Sequence, residues 1–151
     1  MHKGVGKKIS IDKKPHKSYP GSGVKGLING ISGSTSRFGD KEWLGFWGDD
    51  IEIVINLGEE MEINSIETRF NNTKSQWIYA PKEFEISFDD NDYQVYEIGN
   101  SENNLVNIHR DYNKIKVQTI KIKVPNYGVI PDGQQGAGNK AWTFIDEIII
   151  N

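Results

Sequence analysis

The sequence contains no cysteine and no long apolar run, and it has only three histidines. The absence of cysteine excludes a disulfide framework, a thiolate metal site and a cysteine nucleophile. No apolar stretch approaches the ~20 residues that a membrane-spanning helix needs. The basic N-terminal residues 1–20 have no apolar segment like that of a secretory signal. A net charge of −3 provides no overall basic field, so we expect no nucleic-acid partner.

The composition is that of a folded globular domain. Of the 151 residues, 36% are hydrophobic, 11% are aromatic and 26% are charged, which suits one domain with one core. Sixteen glycines and repeated Asn/Asp clusters separate short β-branched and aromatic runs. This pattern favours an all-β fold.

Alternating apolar segments predict the strands of this fold. They are 51–58, 63–70, a hairpin at 83–99 that turns at 89–92, 119–126 and 143–150. In the lysine-containing segment, alternation predicts that Ile120, Ile122 and Val124 face inward. Lys121 and Lys123 then face outward. No stretch keeps a period of 3.6 residues with capping residues, so we predict no substantial helix.

Three long connections hold all four tryptophans. They are 29–50, 70–82 and 125–142. Loops longer than ~12 residues are uncommon in compact domains unless they are functional. Trp43 and Trp142 adjoin apolar residues and are expected to be structural, whereas Trp77 and Tyr79 lie in the polar stretch "NNTKSQWIYAP" and are ligand candidates. Loop aromatics either stack on a ligand or plug the open end of a β-sandwich, and the sequence leaves both readings open.

Two adjacent carboxylates, Asp146 and Glu147, lie on the last predicted strand. If that strand is half buried, alternation turns one of them inward. A buried carboxylate needs a partner, so this pair bears on what the domain binds.

Four segments in this order and spacing resemble one family. They are "GLINGISGSTS", "WLGFWGDDIEIVINLG", "WIYAPKEFEISFDD" and "GAGNKAWTFIDEI". The chain resembles the coagulation-factor type C, or discoidin, domain, and more narrowly the family 32 carbohydrate-binding modules. It is most similar to the C-terminal module of bacterial family 20 β-hexosaminidases, the chitobiases. The resemblance implies a jelly-roll β-sandwich of about eight antiparallel strands with ligands bound on loops at one end.

The resemblance also implies a structural calcium ion. In the family, an acidic residue of the last strand and an early loop hold the ion together. The matching residues are Asn29, Ser34 or Thr35, and Glu147, with Asn29 standing where the family usually has aspartate. Hydrogen bonding of Glu147 to loop amides is the alternative. By alternation, Asp146 is then expected to point to solvent.

The ligand site implied by the family carries over only in part. The positions that match the polar contacts of galactose-binding members are Leu44, about 70–71 and about 77–78, and none keeps the polar group. An aromatic surface beside amide side chains is nevertheless the chemistry that sugars need. The residues expected to contact ligand are Trp77, Tyr79, Asn71, Asn72, Gln76, Arg37, Phe38, Asn126, Tyr127 and Asp132.

Catalysis is not expected. The histidines are scattered and no Ser lies in a G-x-S-x-G turn, although a carboxylate pair at glycosidase spacing is left open. The leading hypothesis is a monomeric, non-catalytic module, residues 1–151 with a partly flexible segment 1–18. It would target an attached glycoside hydrolase to the terminal sugar of a glycan, outside the cell, in the periplasm or at the bacterial surface.

The alternative function is structural packing on the parent catalytic domain without sugar binding. Membrane insertion by the loop aromatics Trp43, Phe46 and Trp47 is disfavoured, because neighbouring acidic residues would be repelled by anionic lipid. Exposure of Trp77 and Tyr79 is expected to separate sugar binding from packing.

Overall fold

Seven β-strands and two short 3₁₀ turns form the structure, a computed structural model that describes residues 1–151. The strands are β1 (Lys8–Ile11), β2 (Leu44–Trp47), β3 (Ile51–Asn71), β4 (Glu83–Phe88), β5 (Gln94–Glu97), β6 (Leu105–Val124) and β7 (Trp142–Ile150). The 3₁₀ turns are Val24–Ile28 and Lys74–Gln76. The prediction of no substantial helix is confirmed. Neither turn is long and apolar enough to pass through a bilayer.

The two longest strands, β3 and β6, pair antiparallel and build both layers of the fold. Their pairing runs from Ile51 opposite Val124 to Asn71 opposite Leu105, and its register shifts twice near the middle, where the ribbon folds over. The first half carries β1, β4 and β5, whereas the second half carries β7 and β2. Side chains of both halves meet in one core cluster, so the fold is an antiparallel β-sandwich.

The all-β prediction is therefore confirmed, with seven strands rather than about eight. The segments 51–58 and 63–70, predicted as separate strands, are the two halves of β3. The predicted hairpin within 83–99 is the pair β4 and β5. The strand predicted at 143–150 is β7.

The core between the layers contains 21 buried apolar residues, most of them isoleucine. Their β-branched side chains pack well on a pleated surface. In β6, Ile120, Ile122 and Val124 are buried, while Lys121 and Lys123 alternate with them and remain partly exposed. The predicted alternation is confirmed.

The N-terminal residues lie along both layers. β1 pairs with the first half of β3. Before it, the Lys3 amide donates a hydrogen bond of 2.7 Å to the carbonyl of Ile150 in β7. The segment 1–18, expected to be partly flexible, thus contains a paired strand and a contact to the last strand.

Because the β3–β6 ribbon folds at its middle, both of its ends meet at one end of the sandwich. The connections that follow or precede those ends gather there. They are 48–50, 72–82, 98–104 and 125–141. We call this region the loop end. Segment 29–43 instead crosses the outer face of β7, where Gly33 contacts Asp146 and Phe38 contacts Phe144.

A β-bulge in β7 decides where the two adjacent carboxylates point. Phe70 pairs with Ile145 and Thr68 with Ile148, so two steps along β3 oppose three along β7. A bulge of this kind interrupts strict alternation. Asp146 and Glu147 therefore both lie on the outer face, beneath segment 29–34. The prediction that Asp146 points to solvent is wrong, since this residue is 0% exposed.

Candidate functional site

Three of the predicted ligand aromatics come together at the loop end. Trp77 and Tyr127 pack on a small buried cluster formed by Tyr79, Ile130 and Ala141. The two tyrosine rings are 4.6 Å apart between centroids. The structure thus joins connection 72–82 to connection 125–141 through aromatic contacts.

Trp77 is half-buried and held in a fixed orientation. Its φ angle of 66° lies in the left-handed region, which costs a non-glycine residue about 1–2 kcal/mol. Its amide donates to the Lys74 carbonyl at 3.0 Å, and its carbonyl accepts from the Trp142 amide at 2.8 Å. Gly136 lies so close to the indole that a Cβ there would collide with it. These contacts keep one part of the ring against protein and leave the rest accessible.

Tyr79 is buried rather than an exposed platform, with 2% of its surface accessible. Its ring packs against Tyr127, and its hydroxyl is buried with no hydrogen-bond partner. Burial raises the pKa of this hydroxyl, with smaller effects of Tyr127 and Glu102, so it stays a neutral O–H donor. Tyr79 therefore offers no ring face for stacking, and its hydroxyl is an unpartnered donor that water does not reach.

A pocket of about 30 Å³ lies beside Tyr79, between connections 72–82 and 98–104. Lys74 and Lys82 line it, and each places its ammonium group over a tyrosine ring. The distances to the ring centroids are 5.7 Å from Lys74 to Tyr79 and 4.7 Å from Lys82 to Tyr127. Both are cation–π contacts.

The asparagines predicted to contact ligand instead connect loops to one another. Asn71 is buried, and its Oδ1 accepts from the amide and the hydroxyl of Thr73. Asn72 donates from Nδ2 to the carbonyls of Ser101 and Asn103, and it accepts from the Ala80 amide. The Oδ1 of Asn71 and both amide groups of Asn72 are thus engaged with protein, although Asn72 also lines the pocket.

Asn126 likewise connects loop segments by hydrogen bonds to their backbone groups. Its Nδ2 donates to the Ala141 carbonyl at 2.8 Å, and its Oδ1 accepts from the Gly128 amide. Gln76 is exposed and its side chain makes no hydrogen bond within the protein. Asp132 is also exposed on connection 125–141.

Arg37 and Phe38 lie apart from the aromatics of the loop end. Phe38 packs against Tyr19 and Phe144, with ring centroids at 6.1 and 5.7 Å. Arg37 is exposed beside an open depression formed by residues 37–41. The structure does not bring these two residues together with Trp77.

Asp146 is the first of the two buried carboxylates, and all of its hydrogen bonds are accepted by one oxygen. Its Oδ2 accepts from the Gly33 amide at 2.8 Å and from the guanidinium of Arg69, whose Nε is at 3.1 Å. Arg69 also donates to the Gly33 carbonyl and lies 5.5 Å above the Trp43 ring. Trp43 is buried and donates its indole N–H to Ser34, as expected for a structural tryptophan.

The second carboxylate, Glu147, has no cationic partner. Its Oε2 lies 2.6 Å from both the Gly30 amide and Nε2 of His2. Because Nδ1 of His2 accepts from the Gly4 amide, Nε2 carries the hydrogen and the ring is neutral. Burial lowers the pKa of His2, in agreement with this tautomer.

Burial raises the pKa of Glu147 from 4.5 to about 8. The nearby Asp146 and Glu42 raise this pKa further, while the Gly30 and Asn29 amides oppose the increase. The second oxygen, Oε1, is buried with no hydrogen-bond partner. When ionised it lacks a donor, and when protonated it lacks an acceptor, so the site contains an unsatisfied group in either state.

Sequence comparison with family models matches residues 16–148 to the F5/8 type C domain. The chain belongs to this family. A comparison with curated proteins finds no match.

Solved structures share the fold of this F5/8 type C domain at low sequence identity. A Streptococcus pneumoniae fucose binding module, SpX-3, has a TM-score of 0.61 and 15% identity, covering 100% of this chain and 97% of its own. The lectin domain of lectinolysin, complexed with Lewis B antigen, has a TM-score of 0.64 and 9% identity, covering 100% and 96%. The module CpGH89CBM32-5 from Clostridium perfringens, in complex with GalNAc-β-1,3-galactose, has a TM-score of 0.57 and 16% identity, covering 95% and 94%. At these identities the likeness establishes the fold alone.

The oxygen donors beneath segment 29–34 of this F5/8 type C domain fit a calcium ion, although few of them are carboxylates. No group of three or more His, Cys, Asp or Glu side chains is placed to hold a metal. Calcium is also coordinated by side-chain amide and backbone carbonyl oxygens. The unpartnered Oε1 of Glu147 is an oxygen that could coordinate such a cation. The backbone amide of Asn29 acts on the Glu147 carboxylate, while its side chain is engaged elsewhere: Oδ1 accepts from the Ile31 amide and Nδ2 donates to Glu42.

The remaining predicted calcium ligands are less favourably placed. The Ser34 hydroxyl accepts from the amides of Ser36 and Arg37. Thr35 is exposed.

Sequence reasoning missed the pocket residues Lys74, Lys82 and Asn100. A signal was present for the lysines, because they flank the aromatic segment that contains Trp77 and Tyr79. Asn100 lies far away in the sequence and reaches the pocket only because connection 98–104 returns to the loop end. No local pattern marks it.

Proposed function

We propose that this F5/8 type C domain is a non-catalytic carbohydrate-binding module whose site is the loop end. The observation that carries the proposal is the partly exposed Trp77, whose backbone amide and carbonyl are both hydrogen-bonded and which packs in one cluster with two tyrosines that line a polar pocket. A rigid aromatic ring covers the apolar C–H face of a sugar, and adjacent polar groups bond its hydroxyls. The names of the similar structures, which mention fucose, Lewis B antigen and GalNAc-galactose, support a glycan as ligand class.

At the loop end, one residue provides stacking on the sugar and others provide hydrogen bonds to it. Trp77 supplies the stacking surface, and Gln76 and Asn100 supply exposed amide groups without partners in the protein. The Tyr79 hydroxyl is a further donor without a partner, although water does not reach it in this structure. A shallow site of this size contacts one sugar residue, so we expect weak affinity for a single module.

The biological role that we propose is targeting. The sequence resemblance to the C-terminal module of family 20 β-hexosaminidases supports attachment to a glycoside hydrolase outside the cell, in the periplasm or at the cell surface. Tethering raises the effective concentration of glycan near the catalytic domain without any new catalytic group. The proposed ligand is a terminal amino sugar or galactoside-type residue.

We also propose a structural calcium ion held by Glu147, with Asn29 as a further ligand. The support is the unpartnered Glu147 Oε1 and the excess of buried carboxylates over cations around it. The ion would connect segment 29–34 to β7. Thermal melting of the wild type and of Glu147→Gln, with calcium and with a chelator, tests this proposal. Stabilisation by calcium is expected only in the wild type.

A second function, packing on the parent catalytic domain, is favoured by another part of the loop end, an apolar patch that does not include Trp77. Trp47 is 48% exposed at the end of β2, and Val129 nearby is also exposed. The Trp47 indole is stacked on Trp142 at 5.9 Å and donates to the Lys140 carbonyl. An exposed tryptophan held this rigidly suits a protein interface.

A glycan array with two matched variants separates these functions. Trp77→Ala removes the proposed stacking surface, whereas Trp47→Ala removes an exposed tryptophan outside it. Sugar binding predicts that Trp77→Ala loses the glycans bound by the wild type and that Trp47→Ala keeps them, with similar thermal melts. Loss in Trp47→Ala alone would place the sugar site elsewhere. If the folded wild type binds no glycan, packing becomes the favoured function.

A further inference from the structure

Two lysines and no carboxylate line the pocket at the loop end, while one carboxylate, that of Glu102, lies beside Lys74. The two lysines are Lys74 and Lys82. Lys82 makes no ion pair, and Lys74 is 3.3 Å from Glu102, whose side chain is 91% exposed. An exposed pair of this kind contributes little, so both ammonium groups remain available to a ligand. This concentration of positive charge contrasts with the net charge of −3 for the whole chain.

The buried hydroxyl of Tyr79 points to the same ligand chemistry. It is a donor without an acceptor, and leaving a buried polar group unpaired costs about 1–3 kcal/mol. The side-chain amide of Asn72, which also lines the pocket, is already fully engaged with backbone groups. The side chains of the pocket wall therefore offer mostly donors, which suits an acceptor group.

The size of the pocket limits what enters it. A volume of about 30 Å³ admits one or two water-sized groups and excludes a sugar ring. A substituent of a sugar enters, while the ring itself remains outside, near Trp77. Trp77 does not itself line the pocket, but it packs in the same cluster as Tyr79 and Tyr127, which do.

We propose that this pocket binds an anionic substituent, a carboxylate or a sulfate, of a glycan whose ring lies against Trp77. The inference rests on the proposed carbohydrate-binding function and specifies its ligand class as acidic sugars. Lys82 and Lys74 provide charge-assisted hydrogen bonds, and a small displacement of the pocket wall lets the Tyr79 hydroxyl, closed off from water in this structure, donate to an oxygen of the same group.

Matched pairs of probes test this proposal by isothermal titration. Glucuronic acid with glucose and 3′-sialyllactose with lactose test a carboxylate, and N-acetylglucosamine 6-sulfate with N-acetylglucosamine tests a sulfate. We expect one acidic member to bind about ten-fold more tightly than its neutral partner, as charge-assisted hydrogen bonds predict. Because the contact is electrostatic and partly exposed, added salt should reduce this difference.

Two variants and one control locate the effect. Lys82→Met should remove most of the preference for the acidic probe, and Tyr79→Phe should weaken it without changing the charge. Lys116→Met changes an exposed lysine in β6 at the opposite end of the sandwich and should leave the preference unchanged. An equal loss in Lys116→Met would overturn the assignment, since it would indicate a general effect of charge.

The outcomes distinguish this inference from the function on which it rests. If neutral sugars bind as well as or better than acidic ones, the carbohydrate-binding function stands and the anion pocket is wrong. If no glycan of either kind binds the folded domain, both are wrong. A preference that survives in Lys82→Met and Tyr79→Phe would also refute the pocket, because the acidic group would then bind elsewhere.

Discussion

Replacing Glu147 with glutamine should remove a large part of the pH dependence of folding stability. The carboxyl group is 2% exposed and has no cationic partner. Its pKa is raised from 4.5 to about 8, chiefly by burial. The folded state therefore holds this proton more tightly than the unfolded state. It follows that the free energy of unfolding falls as pH rises from 4.5 to about 8 and is level above that.

The size of this effect follows from the shift. At about 1.4 kcal/mol per pKa unit, the upper bound is roughly 5 kcal/mol. Release of the first residues of the chain, including His2, gives the ionised carboxylate access to water, so we expect a loss of about 2–4 kcal/mol. The lowered pKa of His2 acts in the opposite direction, because its stabilising contribution is lost as pH falls below 6.5.

Urea denaturation of the wild type and of Glu147→Gln at pH 5, 6.5 and 8.5, with a chelator present, measures the effect directly. Relative to the wild type, the variant should be less stable or equal at pH 5 and more stable at pH 8.5. Repeating both measurements in a His2→Ala background removes the contribution of the imidazole. Parallel pH profiles for the two proteins would show that Glu147 ionises normally and would refute the reasoning.

Three further substitutions have defined consequences. Asp146→Ala leaves the Arg69 guanidinium partly buried without its carboxylate and should destabilise the domain by about 3–5 kcal/mol in urea denaturation. Gly136→Ala should shift the intrinsic fluorescence of Trp77 and lower the melting temperature, because a Cβ there collides with the indole and the φ angle of 79° is unfavourable for alanine. Asn72→Ala should lose about 1–3 kcal/mol, since three backbone groups lose their partner, and amide exchange should increase in residues 98–104.

The strands were predictable because their signal is local. Apolar residues alternate through β6 and β7, and glycine and Asn/Asp clusters mark the turns. The same reasoning divided β3 into two strands, since the polar residues at its middle resemble a turn. The structure shows that the two predicted segments are continuous, and that the fold between layers occurs within a paired ribbon.

The side-chain directions at the site were less predictable because they depend on partners far away in sequence. Asp146 is turned inward by a bulge, which appears only when the register of β7 against β3 is known. Tyr79 was expected beside Trp77 at the surface, but packing against Tyr127 buries it. Local polarity of the surrounding loop gives no indication of either effect.

The three positions that match the polar sugar contacts of galactose-binding relatives carry no polar group in this chain, and the structure explains why. Leu44, Phe70 and Ile78 are each at most 1% exposed and pack in the hydrophobic clusters of the sandwich. Polar side chains there would be buried, so this chain cannot regain that recognition by a single substitution. In the proposed function, specificity for a sugar therefore comes from accessible groups of the loop end. The accessible groups are the ring of Trp77 and the donors that surround the pocket, and the proposed preference for an acidic ligand over a neutral one rests on these donors.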